Sequence, residues 1–421
     1  MDRIIITGGT PLRGTLTVSG AKNAALPLLA ATLLSAEPVE LANIPDVADV
    51  GSMLRLLQRL GTATTHLPGE PGRVVLHTPT MLGSTAPYDL VRKMRASVLV
   101  LGPLLARCGE ARVSMPGGCA IGTRPIDLHL AGLERMGAVI TLDGGYVHAT
   151  APHGLAGAEI RLAQPSVGAT ENLLMAASLA RGETTLVDAA REPEIVDLAA
   201  LLTSMGARIE GAGQNVIRVQ GVPALHAGRH TIIADRIEAG TYAMAAAITG
   251  GSVHLRNARL EHFGAAVETL AESGVTLEAT ADGVTAAADR AGLRGCDVMT
   301  RPFPGFPTDL QAQFMALMCQ AEGASMITET IFENRFMHVP ELARMGARIT
   351  IHGGTALVRG VPELRGAPVM ATDLRASVSL VLAGLAARGE TEINRVYHLD
   401  RGYEHLEQKL GSLGARLERI A

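Results

Sequence analysis

The chain reads as an α/β protein of two lobes, assembled from six units of about 70 residues. Three observations predict it. An amphipathic segment ends six times at a glycine followed by a short alternating strand. These glycines are Gly61, Gly137, Gly206, Gly274, Gly346 and Gly414, at successive separations of 76, 69, 68, 72 and 68 residues. Each unit also opens on an apolar helix rich in Ala, Gly and Ser. Finally, 421 residues of which 47% are apolar can bury a large core. A period of about 70 is too long for a solenoid repeat of roughly 20–50 residues. Two lobes of three units would leave a cleft, the usual place for a small ligand.

The units share one inner order. The opening helices are predicted over 24–34, 96–106, 169–180, 239–249, 310–319 and 376–387. Their small side chains permit close approach, so these helices belong beneath sheets. A turn and a strand follow, as at 111–115, 184–188 and 252–256. A second helix of 3.6 period then closes at the glycine, where a positive φ suits a helix end.

Charge and composition exclude several classes. The 41 acidic and 37 basic side chains leave a net charge of −4, and 6 Phe, 5 Tyr and no Trp supply few rings. The basic stripe and stacking platforms of a nucleic-acid binder are missing. The apolar run Ile4-Ile5-Ile6 is too short for a secretory signal, and no stretch approaches the roughly 18 apolar residues of a membrane span. Cys108, Cys119, Cys296 and Cys319 form neither a disulfide framework nor a C-x-x-C pair. A cytoplasmic protein with reduced thiols is expected.

The helix starts carry the first chemical clue. Lys22, Arg95, Arg236 and Arg375 stand where the dipole disfavours a cation by up to about 1 kcal/mol. A bound anion reverses that sign, because backbone N–H groups, dipole and cation then all face it. Local pairing with Asp235 or Asp373 is the competing reading. Recurrence over several units favours a polyanionic small substrate.

Two further features bear chemistry. The stretch Pro116-Gly117-Gly118-Cys119-Ala120-Ile121-Gly122-Thr123-Arg124-Pro125 places a thiol beside a guanidinium on a Gly-rich loop, a setting for thiolate reactivity and for a closing lid. Cys319 and Cys108, by contrast, read as core residues. Asp309 opens the fifth unit's first helix, either as a residue that complements the dipole or as a general base.

At this point the residues resemble a family. Lys22-Asn23-Ala-Ala-Leu-Pro27, Gly117-Gly118-Cys119 through Arg124-Pro125-Ile-Asp127-Leu-His129, Arg191-Glu192-Pro193-Glu194, Pro307-Thr308-Asp309 and Asp400-Arg401-Gly402-Tyr403-Glu404 are similar to the UDP-N-acetylglucosamine 1-carboxyvinyltransferases. The likeness runs through the whole chain in order. It implies the enolpyruvyl transferase fold, with each lobe an inside-out α/β barrel of three repeats. One lobe would span 22–232, and 1–21 would join 233–421 in the other.

The resemblance also implies the reaction: transfer of the enolpyruvyl group of phosphoenolpyruvate to the 3′-hydroxyl of UDP-N-acetylglucosamine, through a tetrahedral ketal, as the first committed step of peptidoglycan synthesis. Cys119 would protonate the methylene carbon, form a covalent adduct and be the thiol that fosfomycin alkylates. Asp309 would be the base. Lys22, Arg124 and Arg401 match the phosphate-side cluster, with Arg335 and Arg375 on the carboxylate side. Asn23, Arg95, Pro125, Asp127, Leu128, Ser166, Val167, Gly168, Glu192, Ile331 and Phe332 match the nucleotide-sugar contacts. Some relatives carry lysine where this chain has Gln164, so the diphosphate contact there would fall to backbone N–H groups.

Two alternatives stay open on sequence alone. The 5-enolpyruvylshikimate-3-phosphate synthases share fold and donor, but they lack the thiol loop and open on a Lys-Ser motif. A non-enzymatic scaffold could merely bind anions at basic helix ends. No cofactor and no metal are expected, since His129 and His338 show no ligand spacing and five cations would already surround the anion. The expected partners are the two small-molecule substrates, with no nucleic acid and no membrane.

Overall fold

The structure is a computed structural model and describes residues 2–92, 94–115 and 126–420. These divide into two compact units. One comprises residues 2–19 and 234–420; the other comprises the described residues between 20 and 233. Each has its own apolar core.

Among the described residues the strands form six four-stranded sheets, three in each unit. In the first unit, Arg3–Thr7 lies between Glu390–Asn394 and Arg416–Ile420, antiparallel to both. Arg13–Thr17 runs parallel to Ser252–Arg256. The chain's first strands therefore complete sheets whose other strands come more than 200 residues later. The second unit closes likewise, with Gly228–Thr231 parallel to Val39–Ala42.

The opening helices are almost wholly buried. All 14 residues of Arg236–Thr249 are buried, and in Lys22–Ala31 every residue but Asn23 is. Three of the six are not uniform α-helices: Lys22–Ala31 tightens into a 3-10 end over Thr32–Leu34, and two others begin as 3-10. Arg95–Val100 is a 3-10 segment that becomes α-helical over Leu101–Cys108, and Thr308–Leu310 is a 3-10 turn before Gln311–Met318. In Arg95–Cys108, Pro103 has no N–H to give the Leu99 carbonyl, so the tighter winding ends where the helix can resume. Small residues matter where backbones meet: a Cβ on Gly102 would lie 2.4 Å from the Asn172 carbonyl oxygen.

The second helices end as their glycines require. Gly61, Gly137, Gly206, Gly274, Gly346 and Gly414 all have φ between 88° and 113°, a region costly for any residue bearing a Cβ. Among the described residues no helix is long and apolar enough to cross a membrane.

Candidate active site

In the first unit the site is built around Asp309, within the 3-10 turn Thr308–Leu310. Its carboxylate faces two guanidiniums. Oδ1 accepts from Arg335 Nη2 at 2.8 Å and Oδ2 accepts from Arg375 Nε at 3.2 Å. Both arginine side chains are buried, at 5% and 3% exposure, against 25% for Asp309. The reading of Asp309 as a residue complementing its own helix therefore gives way to a long-range ion triad.

The neighbouring aspartates do cap helices. Asp373 accepts from the N–H groups of Arg375 and Ala376 at 2.9 and 3.0 Å, and Asp235 from those of Ile237 and Glu238 at 2.8 and 3.1 Å. Arg375 thus pairs with a carboxylate 66 residues away in sequence instead of the adjacent one. Its Nη1 and Nη2 are buried and make no hydrogen bond of good geometry among the described residues, although the Tyr403 hydroxyl lies within reach of the guanidinium. Unsatisfied donors cost about 1–3 kcal/mol each, and an anionic ligand would satisfy both. Arg236, the other helix-start arginine of this unit, places its guanidinium 5.6 Å from the Phe303 ring centroid.

The floor of this cluster is polar and ordered. Gln313 Nε2 donates to the Asp309 carbonyl at 2.8 Å and to the Tyr403 hydroxyl at 3.2 Å. The Tyr403 ring lies 5.4 Å from the Arg375 guanidinium, which fixes the segment just after Arg401. Arg401 itself ends the 3-10 helix Val396–Arg401, and Arg419 clamps the preceding Asp400 through bonds of 2.7 and 2.6 Å. Phe332 stacks beneath Arg335, 5.2 Å from its guanidinium carbon. The Ile331 and Phe332 N–H groups donate to Glu329 Oε1 at 2.8 and 3.2 Å.

In the second unit the candidates gather about Asn172 and His129. Asn172 Oδ1 accepts from the Gly102 N–H at 2.6 Å, while its Nδ2 reaches the Val98 carbonyl at 3.1 Å and His129 Nδ1 at 3.0 Å. Burial first, and the Arg95 charge second, push His129 down to about 4. A neutral imidazole can accept from that amide. His129 shares its helix, Asp127–Arg135, with Asp127 and Leu128, and its ring lies beside Gly168. Ser166 caps the helix Val167–Ala177, accepting from the Ala169 N–H at 3.4 Å. Arg95, Asp127, Leu128 and Ser166 to Gly168 are thereby drawn around one buried node.

Glu192 precedes the helix Pro193–Ser204 and lies within electrostatic reach of Glu171 on Val167–Ala177. Lys22 pairs at 3.1 Å with Asp49, a buried acid in the first turn of Ala48–Leu60. Gln164 is exposed.

Cys119, Arg124 and Pro125 lie outside the described residues. The three described thiols are all disfavoured as thiolates. Burial pushes Cys319 up to about 12, as its core position demands. Burial and then Glu272 push Cys296 up to about 11, and burial raises Cys108. Cys108 is only half-buried, less than a core reading implies, because it ends its helix ahead of the left-handed Gly109.

Asp49, Asn172, Thr308, Glu329 and Tyr403 were not among the predicted residues. Thr308 and Tyr403 stood inside quoted motifs without a role of their own, and the other three are ordinary polar side chains in sequence that become conspicuous only by their partners.

A family model described as EPSP synthase (3-phosphoshikimate 1-carboxyvinyltransferase) matches residues 6–410. A protein of Granulibacter bethesdensis named UDP-N-acetylglucosamine 1-carboxyvinyltransferase is 64% identical over 422 residues, covering 100% of both chains. One of the same name from Rhodospirillum centenum is 63% identical over 428 residues, covering 100% of this chain and 99% of that one. The chain belongs to the UDP-N-acetylglucosamine 1-carboxyvinyltransferase family.

Solved structures agree on the fold of this family. The enolpyruvyl transferase NikO of Streptomyces tendae superposes with a TM-score of 0.89 at 27% identity, covering 100% of this chain and 99% of that one. EPSP synthase from Acinetobacter baumannii reaches 0.77 at 19% identity, with both chains fully covered, a likeness of fold alone. The mixed α/β enolpyruvyl transferase fold is thus established for the carboxyvinyltransferase chain.

Proposed function

We propose that the chain transfers the enolpyruvyl group of phosphoenolpyruvate to the 3′-hydroxyl of UDP-N-acetylglucosamine and releases phosphate. The observation that carries this reading is Asp309 set between two buried arginines, one with both terminal nitrogens unsatisfied, in a chain of this family. In the addition step the sugar oxygen attacks C2 of phosphoenolpyruvate. Asp309 takes the hydroxyl proton and Cys119 delivers one to the methylene carbon. Elimination then returns the double bond as phosphate leaves and a methyl proton is lost.

Arg335 and Arg375 hold the carboxylate side of the donor; Lys22, Arg124 and Arg401 hold the phosphate. Asn23, Arg95, Pro125, Asp127, Leu128, Ser166, Val167, Gly168, Glu192, Ile331 and Phe332 hold the nucleotide sugar. The finer architecture belongs to the same reading: six repeats, three to each inside-out α/β barrel, acting in the cytoplasm at the first committed step of peptidoglycan synthesis.

Phosphate release from phosphoenolpyruvate that depends on UDP-N-acetylglucosamine is the test. Release dependent on shikimate 3-phosphate instead would assign the chain to the sister activity, and release with neither would reject both. Cys119→Ala should abolish stoichiometric alkylation by fosfomycin, measured by intact mass. Undiminished alkylation would move the role to another thiol.

A further inference from the structure

We infer that Glu329 is a positioning residue for the transfer reaction, with one carboxylate oxygen serving the base and the other serving the nucleotide-sugar loop. The inference rests on the proposed roles of Asp309, Ile331 and Phe332. Glu329 follows the strand Ala324–Thr328 and is only 7% exposed, yet four donors converge on it. Oε1 accepts from the Ile331 and Phe332 N–H groups and from the Thr300 hydroxyl at 2.9 Å. Oε2 accepts from the Thr308 hydroxyl at 2.7 Å.

The second of these bonds sets a direction. A hydroxyl has one proton, and an ionised carboxylate can only accept, so the Thr308 proton points at Glu329. The Thr308 lone pairs are left for Arg335 Nη1, which donates to Oγ1 at 3.1 Å. The guanidinium is a rigid planar fork. Anchoring Nη1 therefore places Nη2, the atom that donates to Asp309 Oδ1. In the relay Glu329–Thr308–Arg335–Asp309 the glutamate and the arginine are buried and the other two are partly so, and Thr308 is also the residue just before the base.

Oε1 does a separate task. By holding two consecutive amides it fixes the backbone at 331–332, and with it the Phe332 ring on which Arg335 rests. Glu329 touches no reacting atom and acts through these neighbours. A glutamine there keeps one acceptor oxygen but turns the other position into a donor. Since the two amides require the oxygen, the mismatch falls on Thr308.

The test uses the full chain, with phosphate release measured at varied phosphoenolpyruvate and varied UDP-N-acetylglucosamine. Rates are divided by nucleotide-sugar binding sites counted by calorimetry, which removes any misfolded fraction. Glu329→Gln and Thr308→Val should each lower kcat per site about 10- to 100-fold while KM for the nucleotide sugar stays within about threefold. Glu329→Ala should in addition raise KM for the nucleotide sugar about 10-fold and leave KM for phosphoenolpyruvate within about threefold. If Glu329→Ala does not fold, Glu329→Gln and Thr308→Val still decide. A kcat per site within about twofold of the unaltered chain in both would overturn the role. So would a common rise of both KM values in Glu329→Ala. No phosphate release from the unaltered chain would overturn the reading of the site, and this role with it.

Discussion

Asp309 in the first unit and Glu171 in the second both sit on helical segments beside other candidate site residues, and they meet opposite surroundings. Asp309 has two guanidiniums within 3.2 Å. Glu171 is buried with no ion pair among the described residues: burial first, then Glu194 and Glu192, push it well above its ordinary range of about 4.5. Its Oε1 has no hydrogen-bond partner among the described residues. One carboxyl is set against two cations; the other is arranged to stay neutral. The lesson is that the same functional group becomes reagent or filler according to what the fold sets against it.

The largest expected effect breaks the charged side of this comparison. Asp309→Ala should lower kcat about 10²- to 10⁴-fold, the usual worth of a general base, while thermal unfolding shows an intact fold. Near-normal turnover would reduce Asp309 to a counterion for its arginines.

Arg375→Lys is the next, smaller change. Lysine keeps the charge but loses the planar fork that serves Asp309 through Nε and presents Nη1 and Nη2. KM for phosphoenolpyruvate should rise about 10- to 100-fold, read in the same phosphate assay. An unchanged KM would mean that those two nitrogens meet no anion.

Glu171→Gln has the smallest effect and tests the neutral side. A carboxyl whose folded pKa is raised contributes stability that is full below the unfolded value and lost as pH rises towards the folded one. Here the loss begins near 4.5 and continues upward. Glu238 behaves alike over a window from 4.5 to about 7, because burial outweighs its contact with Lys409. Glu171→Gln should therefore melt a few degrees higher than the unaltered chain at pH 8, with the difference vanishing near pH 4.5. A difference independent of pH would show that Glu171 is ionised in the folded chain.

Much of this was legible in the residues. The Gly-terminated segments at Gly61 through Gly414 announced the helix ends, and all six have the positive φ that glycine allows. Asp309, Arg335 and Arg375 were named as candidates, and the structure joins them in one ion triad. The helix starts were less readable. Lys22 and Arg375 looked alike, yet Lys22 has Asp49 as its partner and Arg375 has Asp309. Local pairing with Asp373 was the natural alternative, but that carboxylate caps its helix through backbone N–H groups. Glu329 and Asn172 carried no local signal: each stands among other polar residues, Thr328 and Thr330 in one case and Thr170 and Glu171 in the other, and sequence does not tell which of such neighbours faces solvent and which is the centre of a network.

The sequence by itself determined the local periodicities, the glycine-closed helices, the balance of charge and the residue types of the site. These follow from short-range sterics and side-chain chemistry, which act over one or two helical turns. Tertiary structure alone decided which strands complete which sheets, as when Arg3–Thr7 enters a sheet with Arg416–Ile420. It also decided which acid meets which base. Ion pairs and desolvation depend on distances of a few ångströms between residues tens or hundreds of positions apart, and only the folded chain sets those distances.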